Sequence, residues 1–255
     1  MRFFIVIANV KAIYRCLANQ FIFIEHAIVE MDIFEASMED GFRHQGMRKL
    51  LVEHLREKGI KDENVLQAIG EIPRHLFFFD TAFLQFAYED KAFPIGSGQT
   101  ISQPYTVAFQ SELLNIKKRE KVLEIGTGSS YQTAVLVKLG AKVFTIERQR
   151  ALHEKSTILL EKFHLKARCF YGDGYKGRPG FAPFDKIIVT CGAPFIPEEL
   201  KNQLKIGGRL VVPVGEFNGV QKMLVVDRIS ETEFKTTEHG DFQFVPMLDK
   251  TDMAQ

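Results

Sequence analysis

Two short stretches hold residues whose types and spacing suit chemistry. The first, Gly98-Gln99-Thr100-Ile101-Ser102-Gln103-Pro104, is polar and uncharged and precedes a helical-looking run, Tyr105 to Leu114. The second, "VLEIGTGSSY", places Gly126-Thr127-Gly128 directly after an apolar strand pattern and before a helical one. Glycines there let backbone approach a ligand closely, and a helix N-terminus offers unpaired N–H groups. A dinucleotide fingerprint needs a third glycine at position 131, which is Tyr131. Three acids sharpen the signal. Glu124 lies two residues before Gly126, Glu147 lies about 20 residues beyond the glycine loop, where a carboxylate can take both ribose hydroxyls, and Asp173 sits between glycines with Gly174 after it. Such acids suit a cofactor that brings positive charge in place of phosphates, and S-adenosylmethionine is one. Each residue also has a plain reading: Glu147 as a solvated strand end, Asp173 and the glycines as turns, Ser102 as the N-cap of the helix near Tyr105.

These residues need strands and helices to position them, and the chain past Lys117 alternates the two. Strand patterns fall at 121–126, 142–147, 167–173, 184–190, 207–215, 221–229 and 242–247, with helical patterns at 130–140, 148–163 and 197–204. The order predicts a parallel sheet covered on both faces, with an antiparallel edge where the helices stop. Upstream, Met47 to Lys58 predicts an amphipathic helix that Gly59 ends, and Asp62 caps a second over Glu63 to Ile69. The aromatic run "HLFFFDTAFLQFAYED" is expected to pack on the core.

Bulk properties narrow the class. The 255 residues are 45% hydrophobic and 25% charged, ordinary for a globular protein, and the net charge of +1 suggests no large nucleic-acid footprint. Cys16, Cys169 and Cys191 show no metal spacing, no metal is expected, and a reducing compartment is the simpler reading. None of the seven histidines is assigned a role. The Phe- and Ile-rich start is too short an apolar run for a span of roughly 20 residues. It reads as a packed helix, a membrane-surface segment, or sequence upstream of a start at Met31 or Met38, the last being favoured.

"AFPIGSGQTISQPYTVAFQSELL", "KVLEIGTGSSYQTAVL", "GDGYKG", "APFDKIIVT" and "GGRLVVPVG" together resemble the protein-L-isoaspartate O-methyltransferases, from about Gly41 to Lys250. The first motif is the specific one; the second fits many methyltransferases. The resemblance implies an α/β, Rossmann-like methyltransferase fold: a mostly parallel doubly wound sheet, an antiparallel C-terminal edge and N-terminal helices. It implies methyl transfer from S-adenosylmethionine to the free α-carboxylate of isoaspartyl residues in damaged proteins, by a cytoplasmic monomer that needs neither nucleic acid nor a membrane. Ser102 is then the expected catalytic residue and Gln103 a substrate contact. Thr100, Ile101, Glu124, Gly126, Thr127, Gly128, Glu147, Asp173 and Gly174 are the expected cofactor contacts.

The expected organisation is one methyltransferase domain over residues 41–255, with a helical part (41–117) carrying the active-site loop and an α/β core (118–255); residues 1–40 form a separate extension. Ser130 stands where the family commonly has glycine. Cys191, in "CGAP", is expected to be a small buried filler, and no cofactor contact is assigned after Leu248. A small-molecule or nucleic-acid methyltransferase and a non-catalytic binding module are the alternatives. An amino-methylase motif after the fourth strand of the core is missing from "TCGAP", and intact "TISQP", "GTG" and "GDG" weigh against lost chemistry.

Overall fold

The structure, a computed structural model, describes residues 39–217 and 219–252. Nearly all of the expected N-terminal extension lies outside the described residues. The first helix, α1 (Phe42–Glu57), starts earlier than its apolar pattern because its first turn is exposed: Phe42 is 91% accessible. Helix α2 (Glu63–Glu71) begins as expected, with the Asp62 carboxylate accepting from Asn64 N–H at 2.9 Å. The aromatic run forms two 3-10 turns, Arg74–Phe77 and Thr81–Phe86, the first fully buried.

A small hairpin follows, β1 (Phe93–Gly96) and β2 (Gln99–Ile101), turning through Ser97 and Gly98, both at positive φ as a two-residue hairpin loop requires. It leads directly into α3 (Pro104–Leu114). The seven-stranded sheet is then built from β3 (Lys121–Ile125), β4 (Lys142–Glu147), β5 (Ala167–Tyr171), β6 (Phe184–Val189), β7 (Leu204–Gly215), β8 (Gln221–Arg228) and β9 (Phe234–Phe242) in the order β5-β4-β3-β6-β7-β8-β9. Strands β5 to β7 across that order are parallel, and β8 and β9 add an antiparallel edge. Helices α4 (Tyr131–Lys138), α5 (Arg150–Lys162) and α6 (Glu198–Asn202) connect strands.

The side-chain period of two divides the apolar strands between two cores. Leu123, Ile125, Phe144, Ile146, Ile187 and Val189 pack with Leu200 of α6 on one face. Val122, Val143, Ile188 and Val211 pack with Leu114 of α3 and Leu136 of α4 on the other. Burial on both faces explains why these strands read as continuous apolar runs.

The last strand is a correction. It occupies Phe234–Phe242, not 242–247. The aromatic alternation of Phe242 and Phe244 imitated a strand, whereas Pro246 lacks an N–H and makes only an isolated bridge to Gly192. The real edge strand is polar and mostly solvent-facing, so no apolar period marks it.

Candidate active site

Strand order reverses between β3 and β6, where β4 lies on one side and β6 on the other. Open α/β sheets bind ligands in the crevice outside their carboxyl ends at such a point. A crevice enclosing about 770 Å³, its open mouth included, lies here.

Its floor is the loop after β3. Gly126 has φ of +99°, and a Cβ on it would come within 2.6 Å of Thr190 Oγ1, so only glycine fits. Gly126 N–H donates to Ile146 O at 2.9 Å, and the Thr127 and Thr145 hydroxyls pair at 2.7 Å. Ser156 Oγ of α5 donates to Gly128 O at 2.6 Å. Ser130 adopts φ of +65°, a left-handed conformation that glycine takes more cheaply.

Glu147 ends β4 at the crevice wall. Its two oxygens each accept one backbone N–H, from Gly128 and from Gln149, both at 2.8 Å. Burial raises its pKa, and the N–H donors of Gln149, Gly128 and Arg148 oppose the rise. A carboxylate has about four lone-pair positions, so room remains for a hydroxyl donor.

The wall opposite is the hairpin. Thr100 and Ser102 line the crevice. The N-cap of α3 is Gln103, and no side chain of the helix caps it. Its Tyr105 N–H donates instead to Asp90 Oδ1 at 2.8 Å. The capping role that sequence allows Ser102 is therefore filled from elsewhere, and among the described residues no group bonds to its hydroxyl.

Of the other expected contacts, Gly126, Thr127, Gly128 and Gly174 line the crevice, and four residues do not. Ile101 is buried beneath the hairpin at 1% exposure. Gln103 turns outward, donating to Asp90 Oδ2 at 3.1 Å and facing a groove beside Tyr105 and Phe242. The Asp173 carboxylate accepts from Tyr175 N–H at 2.9 Å, and is spent turning the chain so that Gly174 can pass Ile125; a Cβ at Gly174 would lie 2.4 Å from Ile125 Cγ2. Glu124 lies on the same face as Glu147 but two residues deeper in register, where Thr133 of α4 donates to its Oε2 at 2.5 Å. Burial raises the Glu124 pKa to about 8, against its hydroxyl partners and aided by nearby Glu147, and its Oε1 has no hydrogen-bond partner.

Sequence reasoning missed the tail. Val245, Pro246, Met247 and Leu248 line the crevice, held by Gly192 N–H to Val245 O and Met247 N–H to Gly192 O, both at 2.8 Å. Beyond them the Asp252 carboxylate accepts from Arg150 N–H at 2.9 Å and lies 2.9 Å from the Tyr171 hydroxyl. No local signal marks this, because the partners are about a hundred residues apart. Cys191 also lines the crevice, and burial pushes its thiol up to about 12, leaving it protonated and unreactive.

The lining fits a sulfonium cofactor better than a dinucleotide. Among the described residues Arg148 is the single basic liner and gives its Nε–H to Lys250 O at 2.9 Å, so these residues offer no cluster of cations for a pyrophosphate. Glu147 at the wall favours a positively charged guest.

Comparison with known proteins agrees. The family model described as protein-L-isoaspartate(D-aspartate) O-methyltransferase matches residues 46–252. A protein-L-isoaspartate O-methyltransferase of Flavobacterium johnsoniae is 60% identical over 213 residues, covering 83% of this chain and 99% of the relative. That of Salinibacter ruber is 45% identical over 219 residues, covering 82% and 94%. A solved protein-L-isoaspartate O-methyltransferase superposes with a TM-score of 0.71 at 30% identity, over 78% of this chain and 65% of that one, just under two thirds of its length. A Plasmodium falciparum protein crystallised with S-adenosyl-L-homocysteine shares the fold, with a TM-score of 0.69 at 23% identity. Crevice, hairpin and matched sequence coincide, and the chain belongs to the protein-L-isoaspartate(D-aspartate) O-methyltransferase family.

Proposed function

We propose that this protein transfers a methyl group from S-adenosylmethionine to the free α-carboxylate of L-isoaspartyl residues in damaged proteins, the first step of their repair, with Ser102 holding the acceptor. The observation that carries the role of Ser102 is its uncommitted hydroxyl on the crevice wall, freed because Asp90 caps α3.

When bound, the cofactor supplies an electrophilic methyl group on a sulfonium. The residues that would hold it are Gly126, Thr127 and Gly128 through the loop backbone and Glu147 through ribose hydroxyls. The acceptor carboxylate is ionised at neutral pH and needs no general base, which suits a crevice that no histidine lines among the described residues. Opposite charges collapse as the bond forms, so strong solvation of either would oppose it. The protein's task is alignment in a partly dry cleft, and orienting two reactants contributes roughly 7–11 kcal/mol. Ser102 suits that task because one neutral hydrogen bond orients a carboxylate, whereas a fixed lysine would over-stabilise its ground state. Gln103 and the outer groove face the side from which a protein substrate would approach.

We further propose one domain over 41–255, acting as a monomer in the cytoplasm without nucleic acid or membrane; the family resemblance and the free thiols of Cys169 and Cys191 support this. Among the described residues no helix is long and apolar enough to cross a membrane.

The test is methyl incorporation from labelled donor into an isoaspartyl peptide and its normal aspartyl twin. Incorporation into the first alone is expected; none, or equal labelling of both, would overturn the proposal.

A further inference from the structure

Arg74 opens the first 3-10 turn and is 0% exposed. A guanidinium taken out of water needs its donors satisfied, and no carboxylate lies within ion-pair distance of it among the described residues. Instead its two Nη groups reach three main-chain carbonyls, while its Nε has no partner among the described residues. Nη1 donates to Ala87 O, and Nη2 donates to Lys91 O at 3.2 Å and to Ser102 O at 3.0 Å. Its flat face lies over the rings of Phe78 at 5.1 Å and Tyr131 at 5.5 Å, the latter a crevice residue. Burial lowers its pKa to about 10, so it stays charged at neutral pH, helped by the field of Asp90.

A buried charge commonly adds little stability over an apolar side chain of the same volume. What the guanidinium adds is geometry: a rigid fork spans carbonyls from two segments at fixed spacing, which a lysine ammonium cannot do. The first segment, 87–91, also carries Asp90, which takes the Tyr105 N–H at 2.8 Å and the Gln103 amide at 3.1 Å. The main chain around Ser102 is thus gripped at its carbonyl by Arg74 and three residues later at an amide by Asp90.

We propose that Arg74 is a positioning residue for the reaction: by tying the Ser102 carbonyl to the 87–91 segment and the Tyr131 wall, it fixes the direction in which the Ser102 hydroxyl meets the acceptor. This rests on the reading of Ser102 given above.

The test uses the full-length protein with Arg74→Lys, Arg74→Gln, Ser102→Ala and the Ser102→Ala/Arg74→Lys double variant, their folded fractions matched by thermal melts. Each Arg74 variant should lose tenfold or more in kcat on an isoaspartyl peptide, while calorimetric Kd for S-adenosylhomocysteine stays within threefold. Hydrogen exchange at the Tyr105 amide should speed by tenfold or more, with β3 and β4 amides unchanged. The double variant should turn over no more slowly than the slower single one, because both changes disable the same group. Folded Arg74 variants with wild-type kcat and amide exchange, or a double variant whose losses multiply, would overturn the inference. Full kcat in Ser102→Ala would instead remove the serine's role, and the exchange data would then decide separately whether Arg74 holds the segment.

Discussion

Ser102 is available for chemistry because an acid from another segment does its ordinary work. A serine just before a helix is normally drawn into capping, but Asp90 receives the Tyr105 N–H here, while Lys58 offsets the acid's charge at 2.7 Å. Glu147 is the converse: a group with two partners already and room for more. Its Gly128 and Gln149 donors hold the carboxylate at the wall before any ligand arrives. Glu147→Ala should weaken donor binding by roughly 1–3 kcal/mol, the cost of leaving hydroxyl donors unpaired. Calorimetry reads this directly, and an unchanged Kd would take Glu147 out of the site. At Ser130, the left-handed backbone is accompanied by a local bond from its Oγ to Ser129 O at 2.5 Å.

At the scale of elements, what the sequence revealed follows from what each element buries. Strands β3, β4 and β6, enclosed on both faces, are legible as apolar runs, and the loop between β3 and α4 is legible from its glycines. The β1–β2 hairpin is not, because strands of four and three residues that mix Pro, Gly, Gln and Thr show no period. Of the expected acids, Glu147 lines the crevice at its strand end, while Glu124, on the same face of the sheet but two residues deeper in register, does not. The tail lay furthest from view: its order comes from Asp252 meeting the N-terminus of α5, whose N-cap Gln149 has no side-chain capping bond. Asp252 therefore acts as a cap supplied from a distance. Asp252→Ala should cost roughly 0.5–2 kcal/mol of stability, as loss of a capping carboxylate does. It should also lower donor affinity about three- to tenfold by loosening Val245 to Leu248. Protease sensitivity of the last ten or so residues, with donor affinity alongside, checks both; an unaltered affinity would show that the crevice wall stands without its latch.

For the whole molecule, a net charge near zero leaves no strong overall field, so pH dependence is set by a few buried groups. Glu124 is the chief of these, an acid inside a sheet covered on both faces. Its pKa rises from an ordinary 4.5 to about 8 in the folded protein, with burial the leading cause. Between those values the unfolded chain has released the proton and the folded one keeps it, so the folded state binds more protons and stability falls as pH rises. The loss is absent below the lower value and complete above the upper one. Glu147, shifted in the same direction, adds to the same slope. At about 1.4 kcal/mol per pKa unit, the full effect of Glu124 is on the order of 5 kcal/mol. Glu124→Gln removes the titrating proton and keeps an oxygen for the Thr133 hydroxyl. Its Tm should match wild type near pH 5 and exceed it by roughly 10–20 °C near pH 9, at about 2–4 °C per kcal/mol for a chain of this size. Parallel Tm curves for the two proteins across that range would show that the buried carboxyl is not the source. A cationic donor bound in the crevice would favour the ionised form of this nearby acid, so S-adenosylmethionine should raise the wild-type Tm more at pH 9 than at pH 5. The variant should lose that pH dependence while still gaining stability from the donor.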